Sequence, residues 1–167
     1  GAIGIVGSSK TVKAIIDISI KDSIDVMLNH NVDLLNSYTE ELQKVVKDYT
    51  YKFPSCGSYS IFGLMERINV QYYKPGGGYK IWHTERCSPQ MPDVARHLVF
   101  MTYLNDVEDG GGTEFLNQNL VVHAKKGKTL IWPADWTYTH RGIVSYTQEK
   151  YIVTGWLSYM DKKDAKV

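Results

Sequence analysis

The sequence predicts a mainly β domain of jelly-roll type with flanking helices packed on its outer face. Three observations predict it. An amphipathic helical stretch is confined to the first third of the chain, short β-branched and aromatic runs fill the rest, and glycine, proline or acidic residues punctuate those runs. Strands this short and this closely spaced pair antiparallel, because a parallel pair needs a crossover of about a dozen residues or more. At 167 residues with 43% apolar content, the chain has enough material for the core of one domain, expected to span 1–167.

The elements follow in order. From Ser23 to Tyr49, apolar residues fall at Met27, Leu28, Leu35, Tyr38, Leu42, Val45 and Tyr49, a helical spacing that gathers them on one face. Asn29–Asn31 offers a break into two helices, and Lys52–Gly57, with Pro54 and Gly57, ends the stretch. Helical support is therefore expected over about 20–52, covering the outer face of the larger sheet, and the jelly-roll core over about 60–160. Strands are expected near Leu64–Tyr73, Tyr79–Thr84, His97–Leu104, Thr113–Leu116, Leu120–Ala124, Thr129–Trp132, Thr137–Val144 and Lys150–Tyr159. Turns are marked by Pro75–Gly78, by Asp109 followed by Gly110–Gly112, and by Lys126–Gly127.

Charge narrows the function classes. Lys and Arg number 19 against 18 Asp and Glu, a net charge of +1, so the chain offers neither a basic stripe for nucleic acid nor a patch for anionic membrane. No apolar run approaches the ~20 residues of a membrane span. The apolar opening Gly1–Gly7 is short and has no basic flank or cleavage site, so no signal peptide is expected there. Cys56 and Cys87 form no CxxC pattern; they read as free thiols in a reducing compartment, with a cytoplasmic location expected.

The chemistry begins at His83-Thr84-Glu85. Residues two apart on a strand share a face, so imidazole and carboxylate project together as two-thirds of a mononuclear metal site. His140, on a later predicted strand, is the candidate third ligand. Two His and one carboxylate leave open positions on an octahedral ion, which suits non-haem Fe(II). Taken alone, a strand His–Glu pair is a weak signal and is more often a simple surface pair than a metal site. Lys150 opens the apolar strand that runs on to Tyr159, and alternation sets Lys150, Ile152, Thr154 and Trp156 on one face. If that face is internal, a buried cation there needs an anion, which a dicarboxylate co-substrate supplies. The alternative is that Lys150 marks the exposed start of the strand. His97 and His123 have no Asp or Glu two residues away and read as packing or surface histidines. Arg141 is a second candidate anion anchor, but alternation points it away from His140. Trp82, Trp132, Trp136 and Tyr138 are expected mainly as packing, with one or two free to form a substrate platform.

With these residues in view, the chain resembles the Fe(II)- and 2-oxoglutarate-dependent dioxygenases, in their prolyl 4-hydroxylase-like branch. Four segments carry the resemblance in order: Tyr73-Lys-Pro-Gly76-Gly-Gly-Tyr79 before His83; Arg96 to Phe115, with its Tyr103-Leu-Asn-Asp, acidic, Gly-Gly and Thr113-x-Phe features; Gly127-Lys-Thr-Leu-Ile-Trp132; and His140 with Lys150 ten residues on. The resemblance implies a double-stranded β-helix, cupin-like, with Fe(II) held by His83, Glu85 and His140. It implies that Lys150 pairs with the C5 carboxylate of 2-oxoglutarate, that Tyr73 hydrogen-bonds the same carboxylate, and that Thr113 lines that pocket. O2 would be consumed, 2-oxoglutarate would leave as succinate and CO2, and a C–H bond would be hydroxylated; ascorbate is a candidate reductant. A peptide or protein substrate is expected, with a small molecule as the alternative, because the loop Arg86–Asp93 is short for a lid and leaves an open groove. Two features depart from the family: Glu85 stands where it has Asp, and Tyr79 lies four rather than three residues before His83, which a bulge would absorb. The first departure keeps open a catalytically inactive jelly-roll binding module. A cupin-like enzyme using another divalent metal leaves Lys150 and Thr113 unexplained.

Overall fold

A computed structural model of the chain describes residues 2–5, 25–27 and 32–164. Among the described residues two antiparallel sheets face each other, with one long helix laid on the outside of the larger, which is a jelly roll. The larger sheet holds β1 (Ala2–Ile5), β2 (Asp25–Met27), β3 (Phe62–Leu64), β4 (Asn69–Tyr73), β5 (Arg96–Tyr103), β8 (Lys128–Pro133) and β10 (Lys150–Tyr159). Its order is β1-β8-β5-β10-β4-β2, with β3 also paired to β10. The smaller sheet is β7-β6-β9, built from β6 (Thr113–Phe115), β7 (Leu120–Val122) and β9 (His140–Gly142).

The helix α1 spans Val32–Lys52 and turns Tyr38, Leu42, Val45 and Tyr49 inward, the face its spacing predicts. Those side chains pack on Leu98 and Phe100 of β5 and on Tyr151, Val153 and Leu157 of β10. The opposite faces of the same strands, with Val99, Met101, Tyr103 and Ile152, meet Phe115 and Val122 of the smaller sheet. Strands β5 and β10 are thus buried on both sides. Close packing of this kind explains Gly155, which sits opposite Phe100 in the ladder: an added Cβ would lie 2.5 Å from the Phe100 ring. Gly155→Ala is expected to lower stability by about 1–3 kcal/mol, the range for overpacking a filled core; chemical denaturation checks it. Gly110, at φ 72 in the loop from β5 to β6, presses so close to the Val144 carbonyl that any side chain would collide with it.

Four expectations need correction. The helical support over 20–52 begins as strand, since Asp25–Met27 pairs with β4, and helix is described only from Val32; residues 6–24 and 28–31 lie outside the described residues. The strand expected at Leu64–Tyr73 is two, β3 and β4, which pair with successive parts of β10 and are separated by a polar turn at Glu66–Arg67. Tyr79–Thr84 is not a regular strand: Tyr79 O accepts from Gly142 N, and His83 and His140 exchange two backbone bonds of 3.0 Å each. Four residues of one segment therefore span two of the other, and the surplus bulges out at Lys80–Trp82. The strand expected at Thr137–Val144 starts only at His140, because Asp135 accepts from the Thr137 N–H at 3.0 Å and winds Trp136–Tyr138 into a 3-10 turn.

Candidate active site

The single β-bridge between His83 and His140 sets the site. It draws together two segments far apart in sequence, one from the bulged stretch after Pro75–Gly78 and one from the start of β9. The two rings lie with centroids 4.2 Å apart. Each Nδ1 faces a backbone carbonyl, that of Ile81 at 2.8 Å for His83 and of Tyr138 at 2.9 Å for His140. A carbonyl only accepts, so each Nδ1 carries the proton and each Nε2 is turned inward. Glu85 meets them there: its Oε1 lies 3.2 Å from Nε2 of His83 and 3.3 Å from Nε2 of His140.

One ligand atom from each of the three residues falls within a 4.8 Å cluster. Burial alone would raise the Glu85 carboxyl, but the hydrogen bonds and charge of the two imidazoles hold it well below the usual carboxylate range. Burial likewise opposes charge on His83, yet its hydrogen bond to Glu85 and its other contacts outweigh that and raise its pKa. Two inward imidazole nitrogens and an ionised carboxylate on one side of a common point fit a divalent cation with open positions on the far side.

That point opens into a cavity of about 250 Å3 between the sheets, lined by all six residues the sequence singles out: Tyr73, His83, Glu85, Thr113, His140 and Lys150. In its wall Lys150, 6% exposed, lies 5.1 Å from the centre of the Tyr73 ring. It has no carboxylate partner among the described residues, and burial lowers its pKa from an ordinary value of 10.5 to about 8. Thr113 shares a 2.6 Å hydrogen bond with the buried Tyr103 hydroxyl, and the Tyr73 hydroxyl donates to Gln71 Oε1 at 2.8 Å. The same cavity is thus lined by a cation, by hydroxyl groups and by the His–Glu–His cluster, the set of groups that a short acid would need to chelate a metal and end in a neutralised carboxylate.

A family model for the 2OG-Fe(II) oxygenase superfamily matches residues 68–158, more than half of the chain. The chain belongs to that superfamily. This oxygenase is 29% identical over 104 residues to human prolyl 4-hydroxylase subunit alpha-3, covering 55% of its own length and 19% of that protein. The mouse subunit matches equally; the chain spans about a fifth of the length of these curated relatives. Among solved structures it superposes on the viral collagen prolyl hydroxylase of Paramecium Bursaria Chlorella virus-1 in complex with 2OG, with TM-score 0.74, 20% identity and 96% of both chains covered. It also superposes on a Trichoplax adhaerens prolyl hydroxylase in complex with a hypoxia inducible factor oxygen degradation domain peptide fragment, at TM-score 0.69 and 18% identity, over 97% of this chain and 84% of that one. At these identities the likeness shows the fold. Membership brings Fe(II) and 2-oxoglutarate as the oxygenase's cofactor and co-substrate, and the cluster of His83, Glu85 and His140 fits the metal.

The other residues weighed from sequence lie elsewhere. His97 stacks on Tyr159, meets Phe62 edge-on and contacts the Cys56 carbonyl, a packing role. His123 is exposed. Arg141 pairs with Glu114 at 2.8 Å and covers Trp82, outside the cavity. Cys56 and Cys87 are both free, the latter exposed. Of the aromatics, Trp132 is buried edge-on against His140, and Trp136 is 70% exposed. The partners of Glu85 are not evident in the sequence. Trp156 Nε1 donates to its Oε2 at 2.8 Å, and Arg96 donates to its backbone carbonyl at 3.0 Å while pairing with Glu66. A charged residue opening an apolar strand was the signal at Arg96, as at Lys150, but nothing local couples it to Glu66 thirty residues earlier.

Proposed function

We propose that this oxygenase is a prolyl 4-hydroxylase-like peptide hydroxylase, with His83, Glu85 and His140 holding Fe(II) and Lys150, Tyr73 and Thr113 receiving 2-oxoglutarate. The observation that carries the reading is the buried Lys150, which has no carboxylate partner among the described residues, in the same cavity as the His–Glu–His cluster. A buried ammonium without an anion is costly, and a dicarboxylate bridging from metal to Lys150 relieves that cost. Bound Fe(II) supplies the activation of O2, of which one oxygen atom ends in succinate as 2-oxoglutarate loses CO2 and the other in the new C–OH bond. The chain's own residues bind, orient and dry the site. Lys150 neutralises the far carboxylate, Tyr73 and Thr113 offer hydroxyl groups to it, and Val99, Met101, Ile152 and Trp132 present apolar walls that exclude water. A peptide substrate is supported by the exposed aromatic and aliphatic side chains beside the ligands, Tyr79, Ile81 and Trp136, and by the peptide complex formed by the Trichoplax relative.

The test has two stages. Anaerobic Fe(II) and 2-oxoglutarate are expected to give the weak visible charge-transfer band of a chelate. With O2 and a panel of proline-containing peptides, succinate release is expected to match one-for-one a product heavier by one oxygen. A band without a hydroxylated peptide keeps the oxygenase and removes the peptide substrate. No band in folded protein moves the reading to the inactive binding module, which Glu85 in place of Asp favours.

A further inference from the structure

We propose that Trp156 is a positioning residue that restricts Glu85 to one metal-facing oxygen. The inference rests on the metal-centre reading above. The two carboxylate oxygens have different surroundings: Oε1 faces both inward imidazole nitrogens, at 3.2 and 3.3 Å, while Oε2 accepts from Trp156 Nε1 at 2.8 Å. A glutamate carries one more methylene than the family's aspartate and can turn both oxygens toward an ion. A carboxylate bound through both would occupy a second coordination position, one that two His and a single oxygen otherwise leave open for chelating co-substrate and O2.

The indole is itself held. The Arg96 guanidinium lies over its ring, 3.9 Å from the centroid, and is fixed by Glu66 at 2.7 and 2.8 Å and by Asp93 at 3.1 Å. Arg96 also donates to the Glu85 backbone carbonyl at 3.0 Å. One assembly therefore grips Glu85 by its main chain and by the outer oxygen of its side chain. The longer carboxylate keeps the reach of its extra methylene and loses the freedom to swing.

Trp156→Phe keeps an aromatic ring beneath Arg96 and deletes the N–H donor. Co(II) serves as the probe, because its visible spectrum reports coordination number without turnover. In the variant, the Co(II) spectrum is expected to change before co-substrate is added, and 2-oxoglutarate affinity of the Co(II) protein is expected to fall about 10–100-fold, the range for loss of an orienting partner. Glu85→Asp, too short to hold both contacts, should show its own loss, to which Trp156→Phe adds little; fully additive losses would show that Trp156 acts only by lining the cavity, and would overturn the proposal. An unchanged spectrum and affinity in folded Trp156→Phe would also overturn it. Arg96→Gln, which leaves the indole but removes its clamp, shifts the spectrum in the same direction and serves if Trp156→Phe does not fold. Wild-type protein that binds no Co(II) would sink the metal-centre reading itself, an outcome distinct from all of these.

Discussion

Replacing His140 with alanine is expected to abolish the Fe(II)–2-oxoglutarate band and to weaken Mn(II) binding by more than the 10–100-fold typical of losing a supporting contact. His140 supplies an inward Nε2 that no neighbouring side chain can replace: of the described residues, only His83 and Glu85 share its cluster. The backbone bridge to His83 is made by main-chain atoms, so it survives the substitution and the variant is expected to fold. Some stability is lost, because the ring packs against Trp132 and Phe115. Calorimetric titration with Mn(II), read beside a thermal melt, checks the prediction. Folded His140→Ala protein with unchanged Mn(II) affinity would place the metal elsewhere.

The second large effect is expected at Lys150. Lys150→Ala should weaken 2-oxoglutarate binding to the metal-loaded protein by roughly 30-fold to over 1,000-fold, corresponding to the ~2–5 kcal/mol lost when one partner of a buried charge pair is removed. Because burial brings the Lys150 pKa to about 8, affinity should fall about tenfold per pH unit above that value, as binding must then return a proton to the amine. Lys150→Arg, which stays charged, should abolish this alkaline fall even if its affinity is lower throughout. The sign for folding is the reverse. Between about pH 8 and the ordinary lysine value of 10.5, the unfolded chain binds more protons than the folded one, so this group's penalty on stability shrinks as pH rises. Titrations of 2-oxoglutarate from pH 6.5 to 9.5 test the binding side; a flat profile in wild-type protein would remove Lys150 from the co-substrate end.

Where periodicity and chemistry agreed, the sequence was legible. The α1 face and the alternation that sends Lys150, Thr154 and Trp156 to one side of β10 both follow from spacing alone. Part of the His–Glu–His cluster was legible for the same reason, since His83 and Glu85 are two apart; His140 was only a candidate from spacing and was singled out by the resemblance, through its place ten residues before Lys150. What could not be read depends on partners distant in sequence. The bulge at Lys80–Trp82 is fixed by where Tyr79 and His83 bond to Gly142 and His140, far along the chain, and the 3-10 turn at Trp136–Tyr138 is capped by an Asp135 side-chain oxygen that accepts from Thr137 N. Glu66, Arg96 and Trp156 are separated by tens of residues and meet only through the order of the strands, which no local pattern encodes.

Strand β10 has a consequence of its own. Tyr151, Val153 and Leu157 fill the helix side, and Lys150, Ile152, Thr154 and Trp156 face the cavity. Side chains alternate with period two, so a slip of one residue against β4 and β5 would exchange the two sets entirely. It would drive an ammonium among the leucines and tyrosines beneath α1 and put a phenol where the acid's far carboxylate is to lie. A one-residue misregistration would thus damage hydrophobic burial and the proposed anion recognition together, so the same alternation guards both faces at once.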